Sequence, residues 1–366
     1  MRFPEFSGEW ERCTLGDITQ NFSLRNKDKI QYPMFSVTNS KGFVPQSEQF
    51  EDREMIGEDI KAYKIIREGD FAYNPARINV GSIAKYNKSE PCMVSSLYVC
   101  FKALPQINNE WLMQLLKTPK MNFYYNVNGE GGVRVYLFYP NFARIRTSYP
   151  SLVEQQKIAS FLSIIDQRIE TQKKIIEKYE SLIRGLYQFL FQQAKYDHFV
   201  SLGDISQISN GNSDVKDASM NNDGSLYPFF DRSDEIKFLP EYLFDKEAII
   251  YPGEGAEFYP RYYNGKFALH QRCYAVYDIS TDFIPRYLYH YCKTQNSYFV
   301  RNAVGSTVAS LRLDTFKRLK IPAIPTHHQE SLVMFLDKIE AKIECNRTIL
   351  KKYEEQKKYL LSNLFI

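Results

Sequence analysis

The stretch FLSIIDQRIETQKKIIEKYESLI, residues 161–183, decides the fold because the chain carries it twice. FLDKIEAKIECNRTILKKYEEQK, residues 335–357, repeats it: Phe161 falls on Phe335, Leu162 on Leu336, Ile165 on Ile339, Ile169 on Ile343, Lys178 on Lys352 and Tyr179 on Tyr353. The register holds upstream, where GGVRVYLFYPNFARIR (131–146) lies over GSTVASLRLDTFKRLK (305–320), aligning Phe142 with Phe316 and Arg144 with Arg318. Chance does not keep one register over such a length, so the chain is an internal repeat. The starts of the two copies match at a drifted shift: LGDITQ (15–20) echoes LGDISQ (202–207), and YPMFSVTNSKGFVP (32–45) echoes YPFFDRSDEIKFLP (227–240). Between these anchors the copies part, as GDFAYNPARINVGSIAKYN (69–87) against EAIIYPGEGAEFYPRYYNGKF (247–267). Similar frames with different interiors predict two domains doing the same kind of job on different targets.

Both repeated helices begin after a proline cluster, SYPSLVEQQ and PAIPTHHQE, a normal boundary for a helix start. A 4-3 alternation runs through the first as Ile158, Leu162, Ile165, Ile169, Gln172, Ile176, Tyr179, Ile183, Leu186 and Leu190. In the second it runs as Leu332, Leu336, Ile339, Ile343, Asn346, Leu350, Tyr353, Lys357, Leu360 and Leu364. A sustained heptad seam flanked by mixed charges predicts a coiled coil with a solvated outer face. Gln172 and Asn346 occupy the same seam position, where a polar residue costs stability and fixes register. Chain connectivity favours an antiparallel pair, because a whole domain must return the chain between the helices. Some 36 residues rising about 1.5 Å each span roughly 54 Å, on the order of 15 base pairs of duplex. The rod is equally readable as a plain dimerisation or scaffold element.

The expected organisation is α+β: a globular domain over 1–150, a helix over 151–195, a second domain over 196–325 and a second helix over 326–366. At 366 residues, two domains is the natural expectation. Hydrophobic residues make up 44% and charged residues 25%, ordinary for a water-soluble protein. Aromatics reach 15%, mostly 27 Tyr and 26 Phe, which favours β-rich domains. A net charge of +4 is too small for a non-specific nucleic-acid coat, yet leaves room for one basic face. Cys13, Cys92, Cys100, Cys273, Cys292 and Cys345 show no pairing pattern and are expected as free thiols. MRFPEFSGEWERC has no apolar core of a signal peptide, and no run of apolar residues is long enough to span a membrane. A cytoplasmic protein with no membrane partner is the expectation.

Catalytic and metal chemistry find no support. YNPAR (73–77) lacks the second proline and the aromatic of an amino-methyltransferase motif, Ala76 and Arg77 standing in their places, and no glycine-rich cofactor loop precedes it. There is no GxxxxGK phosphate loop. His327 and His328 have no third ligand at metal spacing. GEGG (129–132) and GEG (253–255) read as turns. No catalytic residue and no metal ligand is therefore expected.

Taken together, the chain resembles the DNA specificity subunits of type I restriction–modification systems, over essentially its whole length. The motifs are the opening RFPEFSGEWERCTLGDI (2–18), the segment YNPARINVGSIAKYN (73–87), the helix start PSLVEQQKIASFLSIIDQRIE (150–170) and, above all, the duplicated domain–helix plan. The second helix start, PTHHQESLV (325–333), departs from the Pro-Glu-Gln run of the first. The resemblance implies two target-recognition domains, each reading one half of a bipartite double-stranded DNA sequence, with the antiparallel helices setting the gap. It implies two modification (methyltransferase) subunits bringing S-adenosylmethionine for adenine methylation, and restriction (translocase/nuclease) subunits that use ATP and Mg. The chain itself is then non-catalytic and cofactor-free. Rival readings are a recognition module for another methyltransferase or nuclease, and a coiled-coil scaffold whose domains bind proteins.

Sequence readout needs side chains that reach base edges, Arg to guanine and Asn or Gln to adenine, with Lys and Arg on phosphates. Such residues are expected in the loops where the copies diverge: Lys41, Asn74, Arg77, Asn79, Lys85 and Arg134 in the first domain, and Arg232, Arg261, Lys266, Gln271, Arg272 and Arg312 in the second. Tyr73, Tyr86, Tyr259, Tyr262 and Tyr263 interleave with them and are expected to pack on sugars or bases.

Overall fold

A computed structural model describes residues 1–49, 60–131, 135–193, 195–222 and 224–365. The chain forms two compact units, one of residues 1–172 with 349–366, the other of 173–348. The two long helices, Leu152–Tyr187 and Thr326–Asn363, each contribute to both units, so the division cuts the helices rather than falling at their ends. The first helix continues into a π-helical turn, Gln188–Gln193.

In the first unit a four-stranded antiparallel sheet runs in the order Thr19–Phe22, Val99–Ala103, Phe71–Tyr73, Ile83–Lys85. The central strands are buried on both faces. Alternation along a strand sends successive side chains to opposite sides. Phe71, Tyr73 and Phe101 join Trp111, Phe142, Ile158 and Leu162 on one side. Ala72 and Cys100 join Phe35, Val37 and Tyr86 on the other. The second unit has a six-stranded sheet in the order Gln207–Asn210, Cys273–Tyr277, Phe244–Pro252, Arg261–Leu269, Tyr227–Phe230, Lys237–Leu239. Again one face, Ile249 and Tyr251, meets a helical layer with Tyr287, Phe316 and Leu336. The other, Ala248 and Ile250, meets Phe230, Phe244 and Phe267.

The duplicated frame is exact at the hydrogen-bond level. A short strand pairs with the segment just before each long helix, Glu11–Thr14 with Arg146–Tyr149 and Phe199–Ser201 with Lys320–Pro322. The LGDI turn follows, and its first amide donates to the matching carbonyl, Leu15 to Ile145 at 2.9 Å and Leu202 to Leu319 at 2.8 Å. The glycine is required by close approach: a Cβ on Gly16 would lie 3.1 Å from the Ala143 Cβ, and one on Gly203 2.9 Å from the Lys317 Cβ. Each long helix is pinned by a fully buried glutamine. Gln155 accepts from the Asn108 amide and donates to Pro150 and Gln106 carbonyls. Gln329 accepts from the Ile284 amide and donates to Ile324 and Asp282 carbonyls. The second helix start thus keeps the glutamine that anchors it, while Glu154 before it becomes His328.

The heptad reading holds within each unit. Every seam position is buried or half-buried, while Ile164, Leu182 and Phe335 beside the seam are exposed. In the first unit Ile158, Leu162 and Ile165 share a core with Leu360 and Leu364, and Lys357 pairs with Asp166 at 2.5 Å. In the second, Ile183 shares a core with Leu336, Ile339 and Ile343, and Arg347 pairs with Glu180 at 2.6 Å. Early residues of one helix meeting late residues of the other make the pairing antiparallel. Lys357, placed in the seam by spacing, is tolerated because Asp166 takes its charge. Gln172 is buried, and Asn346 is half-buried with its amide on the Lys342 carbonyl. The six cysteines are free thiols. Among the described residues no helix is long and apolar enough to cross a membrane.

Candidate nucleic-acid interface

In the first unit the candidate residues divide by what already holds them. Asn74 ends the Phe71–Tyr73 strand, and its Oδ1 accepts from the Ala76 amide at 3.0 Å, so it shapes the loop. The loop closes through the turn Ile78–Val80 and Gly81, whose φ of 99° calls for glycine. Asn79 donates to Asn126 at 3.0 Å. Arg77 stands exposed at the tip and makes no side-chain hydrogen bond among the described residues. Lys41 sits exposed at the turn of the Phe35–Thr38/Gly42–Pro45 hairpin. Lys41, Lys85, Lys88 and Lys117 line one cleft of about 290 Å³, with Glu110 the single acid among them and paired to Lys85. Four lysines against one carboxylate make a place for an anion. Arg134 lies outside the described residues.

In the second unit Arg232, Gln271 and Arg272 line one cavity of about 540 Å³, with Asp214, Lys237, Glu254 and His270. Arg232 projects from a stiff loop. Asp231 below it accepts from the Ser233 amide and hydroxyl and pairs with Lys237 at 2.5 Å. Burial works against the Asp231 charge, but Lys237 and Ser233 outweigh it and hold the carboxyl below its ordinary value. Arg261 lies beneath the same loop, donating to the Ser233 carbonyl and facing the Phe230 ring at 5.9 Å. Its visible task is to support Arg232. Lys266 rests over the Tyr242 ring at 4.9 Å, outside this cavity. Arg312 is exposed one residue after Leu311, whose amide donates to the Gly253 carbonyl at 2.8 Å.

The aromatic expectation needs correction. Tyr73 and Tyr86 are core residues, at 0% and 1% exposure, because both stand at inward positions of two-faced sheet packing. Tyr263 packs on Phe230 and Phe267, and Tyr262 bonds Glu247. Tyr259 alone of the five is exposed. Residues missed from sequence are Lys88 and Lys117 in the first cleft, and Lys237, Glu254 and His270 in the second cavity. Lys88 stands one residue beyond the divergent segment, and Glu254 sits in the GEG turn, so both were in view without a reason to choose them.

A third group is His290, Asp337 and Glu340, whose potential ligand atoms lie within 4.8 Å of one another. His290 Nε2 is 2.8 Å from Asp337 Oδ1, Arg286 pairs with Asp337, and Lys293 pairs with Glu340 at 2.5 Å. Burial opposes both carboxylate charges, yet Arg286 for Asp337 and Lys293 for Glu340 keep them below their ordinary values. With a cation on each acid, the trio is an ion-pair network that docks helix Pro285–Lys293 onto the second long helix.

The model of the type I restriction modification DNA specificity domain matches residues 7–181 and again 196–355. A putative type I restriction enzyme specificity subunit, MjaX, of Methanocaldococcus jannaschii is 26% identical over 207 residues. That match covers 53% of this chain and 48% of the relative, so the chain spans about half the length of the curated relative it matches. The crystal structure of a type I restriction-modification S subunit from M. genitalium superposes with a TM-score of 0.67 at 14% identity, over 100% of this chain and 98% of that one. A chain from a study of complex assembly and conformational transition of the type I R-M system gives 0.59 at 13% identity, over 98% and 97%. These likenesses establish the fold. The family rests on the doubled domain match: the chain belongs to the type I restriction–modification DNA specificity family and carries its domain twice.

Proposed function

We propose that this chain is the DNA-reading subunit of a type I restriction–modification enzyme, that each unit reads one half of a split double-stranded sequence, and that the paired long helices set the gap. It is non-catalytic and binds no cofactor. Two modification subunits bring S-adenosylmethionine and methylate adenine, and restriction subunits bring ATP- and Mg-dependent translocation and cleavage. The observation that carries the reading is the doubled specificity domain, with one hydrogen-bonded frame and two different sets of exposed loops. A shared frame explains common assembly, and unlike loops explain unlike half-sites.

The test is binding by the full chain together with its modification subunits. One split duplex is expected to be bound about a thousandfold or more better than random DNA at physiological salt. Equal competition by scrambled duplex overturns the reading. Replacing 1–150 by the corresponding domain of another family member is expected to change one half-site only; a change in both removes the modular assignment.

A further inference from the structure

The cavity of the second unit holds an arginine that is aimed before any ligand arrives. We infer that Arg272 reads a guanine in the half-site of the second unit, and that Glu254 is its positioning residue. The inference rests on the DNA-reading function proposed above and assigns its chemistry at one position.

The turn His270–Cys273 that carries Arg272 is bolted at successive amides. His270 donates to the Phe230 carbonyl at 2.9 Å, Gln271 to Ser213 at 3.0 Å, Arg272 to the His270 Nδ1 at 3.2 Å, and Cys273 to the His270 carbonyl at 2.8 Å. The turn that carries Glu254 is held from two sides. Gly253 lies so close to the other turn that a Cβ would fall 1.8 Å from the Arg272 carbonyl oxygen. On its far side Gly255 donates to Ala309 at 3.0 Å, and Leu311 donates to Gly253. Between these turns Arg272 Nη1 donates to both oxygens of Glu254, each at 2.9 Å.

That geometry uses one nitrogen of the guanidinium and leaves an edge. Nε and Nη2 make no hydrogen bond among the described residues, and the Arg272 side chain is 62% exposed while Glu254 is 20% exposed. Two parallel N–H groups on one planar edge match the O6 and N7 acceptors of guanine in the major groove, a pairing no other base offers. A carboxylate behind the arginine lowers the entropy lost on contact and fixes the fork's plane. A phosphate would also accept from this edge, but the Asp214, Asp231 and Glu254 carboxylates balance Arg232, Lys237 and Arg272 in the same cavity, so no surplus of positive charge selects an anion over a neutral base. The basic cleft of the first unit, with four lysines and one acid, shows the contrasting composition.

The experiment selects from a random duplex library with the full chain and its modification subunits, comparing wild type with Arg272→Ala, Arg272→Lys and Glu254→Gln. Wild type is expected to require a G·C pair in one half-site. Arg272→Ala is expected to relax that position alone, by roughly ten- to a hundredfold in discrimination. Arg272→Lys is not expected to restore it, because an ammonium has no fork, and Glu254→Gln is expected to relax the same position less. The other half-site, unchanged in every variant, certifies folding. A uniform loss of affinity with base preference intact makes Arg272 a phosphate contact and overturns the inference. So does a wild-type site without that G·C pair, or a Glu254→Gln effect that falls elsewhere. Absence of any sequence preference in wild type would instead sink the DNA-reading function itself.

Discussion

The two units solve one docking problem with different chemistry. In the first, the helix Asn109–Leu116 meets the long helices through Gln114, which donates to Asp166 at 3.0 Å, with Lys357 on the same carboxylate. In the second, the equivalent place holds His290, with Asp337, Glu340, Arg286 and Lys293, and with the Tyr187 hydroxyl 2.9 Å from the imidazole. The helix starts differ similarly. Glu154 is buried and gripped by Arg2, at 2.8 and 2.6 Å, and by the Trp10 indole, whereas His328 is exposed. Yet Gln155 and Gln329 make the same three bonds. Bonds to backbone survive divergence because every copy of the frame presents the same carbonyls and amides. Side-chain pairs drift, because either partner can be exchanged once the other has changed.

The comparison breaks first at the glutamines. Gln155→Ala and Gln329→Ala each remove three hydrogen bonds from a buried side chain to the backbone, some of whose partners water can reach, and each is expected to cost about 2 to 4 kcal/mol. Denaturant unfolding checks this, and a large loss at only one of the two would end the claim of a common anchor. Next come the helix starts. Arg2→Ala takes the cation from the Glu154 carboxylate and is expected to lower stability clearly, the Trp10 contact softening the loss. His328→Ala is expected to stay within about 0.5 kcal/mol. Similar losses at both would mean that the exposed histidine has a hidden role.

A smaller effect separates the docking clusters by pH. Burial pulls the His290 imidazole below its ordinary 6.5, against the pull of Glu340 and Asp337. A depressed histidine stabilises fully above its unfolded value, and that stability is lost as pH falls from about 6.5 through the folded value. The lowered carboxylates Asp337 and Glu340 lose theirs only at more acid pH. Thermal melts between pH 7 and 5 are expected to show the second unit weakening first, and His290→Gln, which copies Gln114, to flatten that dependence. An unchanged slope in the variant would place the titration elsewhere.

The repeat, the helices and their seam were legible because heptad spacing and register are properties of sequence alone. The antiparallel direction follows from connectivity, whereas Lys357 stands in the seam by spacing and only the fold supplies its partner, Asp166. The burial of Tyr73 and Tyr86 is not legible in the sequence, because a strand packed on both faces has no polar alternation to mark its inward side. The reading residues were half legible. Arg232 and the turn that carries Gln271 and Arg272 converge from segments distant in sequence, and so do Lys41 and Lys85. Arg261 looked equal to Arg232 in sequence, although one supports the loop that carries the other. Glu254 was invisible as a partner, because the pairing of Pro252 with Cys273 is what brings it to Arg272.

The smallest expected effect sharpens the comparison most at the DNA surface. Lys41 is exposed at a hairpin turn and shares its cleft with three further lysines, so under the DNA-reading function proposed above its charge would serve a phosphate rather than a base edge. A phosphate contact releases counterions whatever the sequence. Lys41→Ala in the full chain with its modification subunits is therefore expected to weaken specific and scrambled duplexes alike, by about three- to tenfold. It should lower the slope of log affinity against log salt by about 1. Base preference in both half-sites should stay as in wild type. A changed preference in one half-site would make Lys41 a reader, and the division between a cleft that holds the backbone and a cavity that reads bases would fall with it.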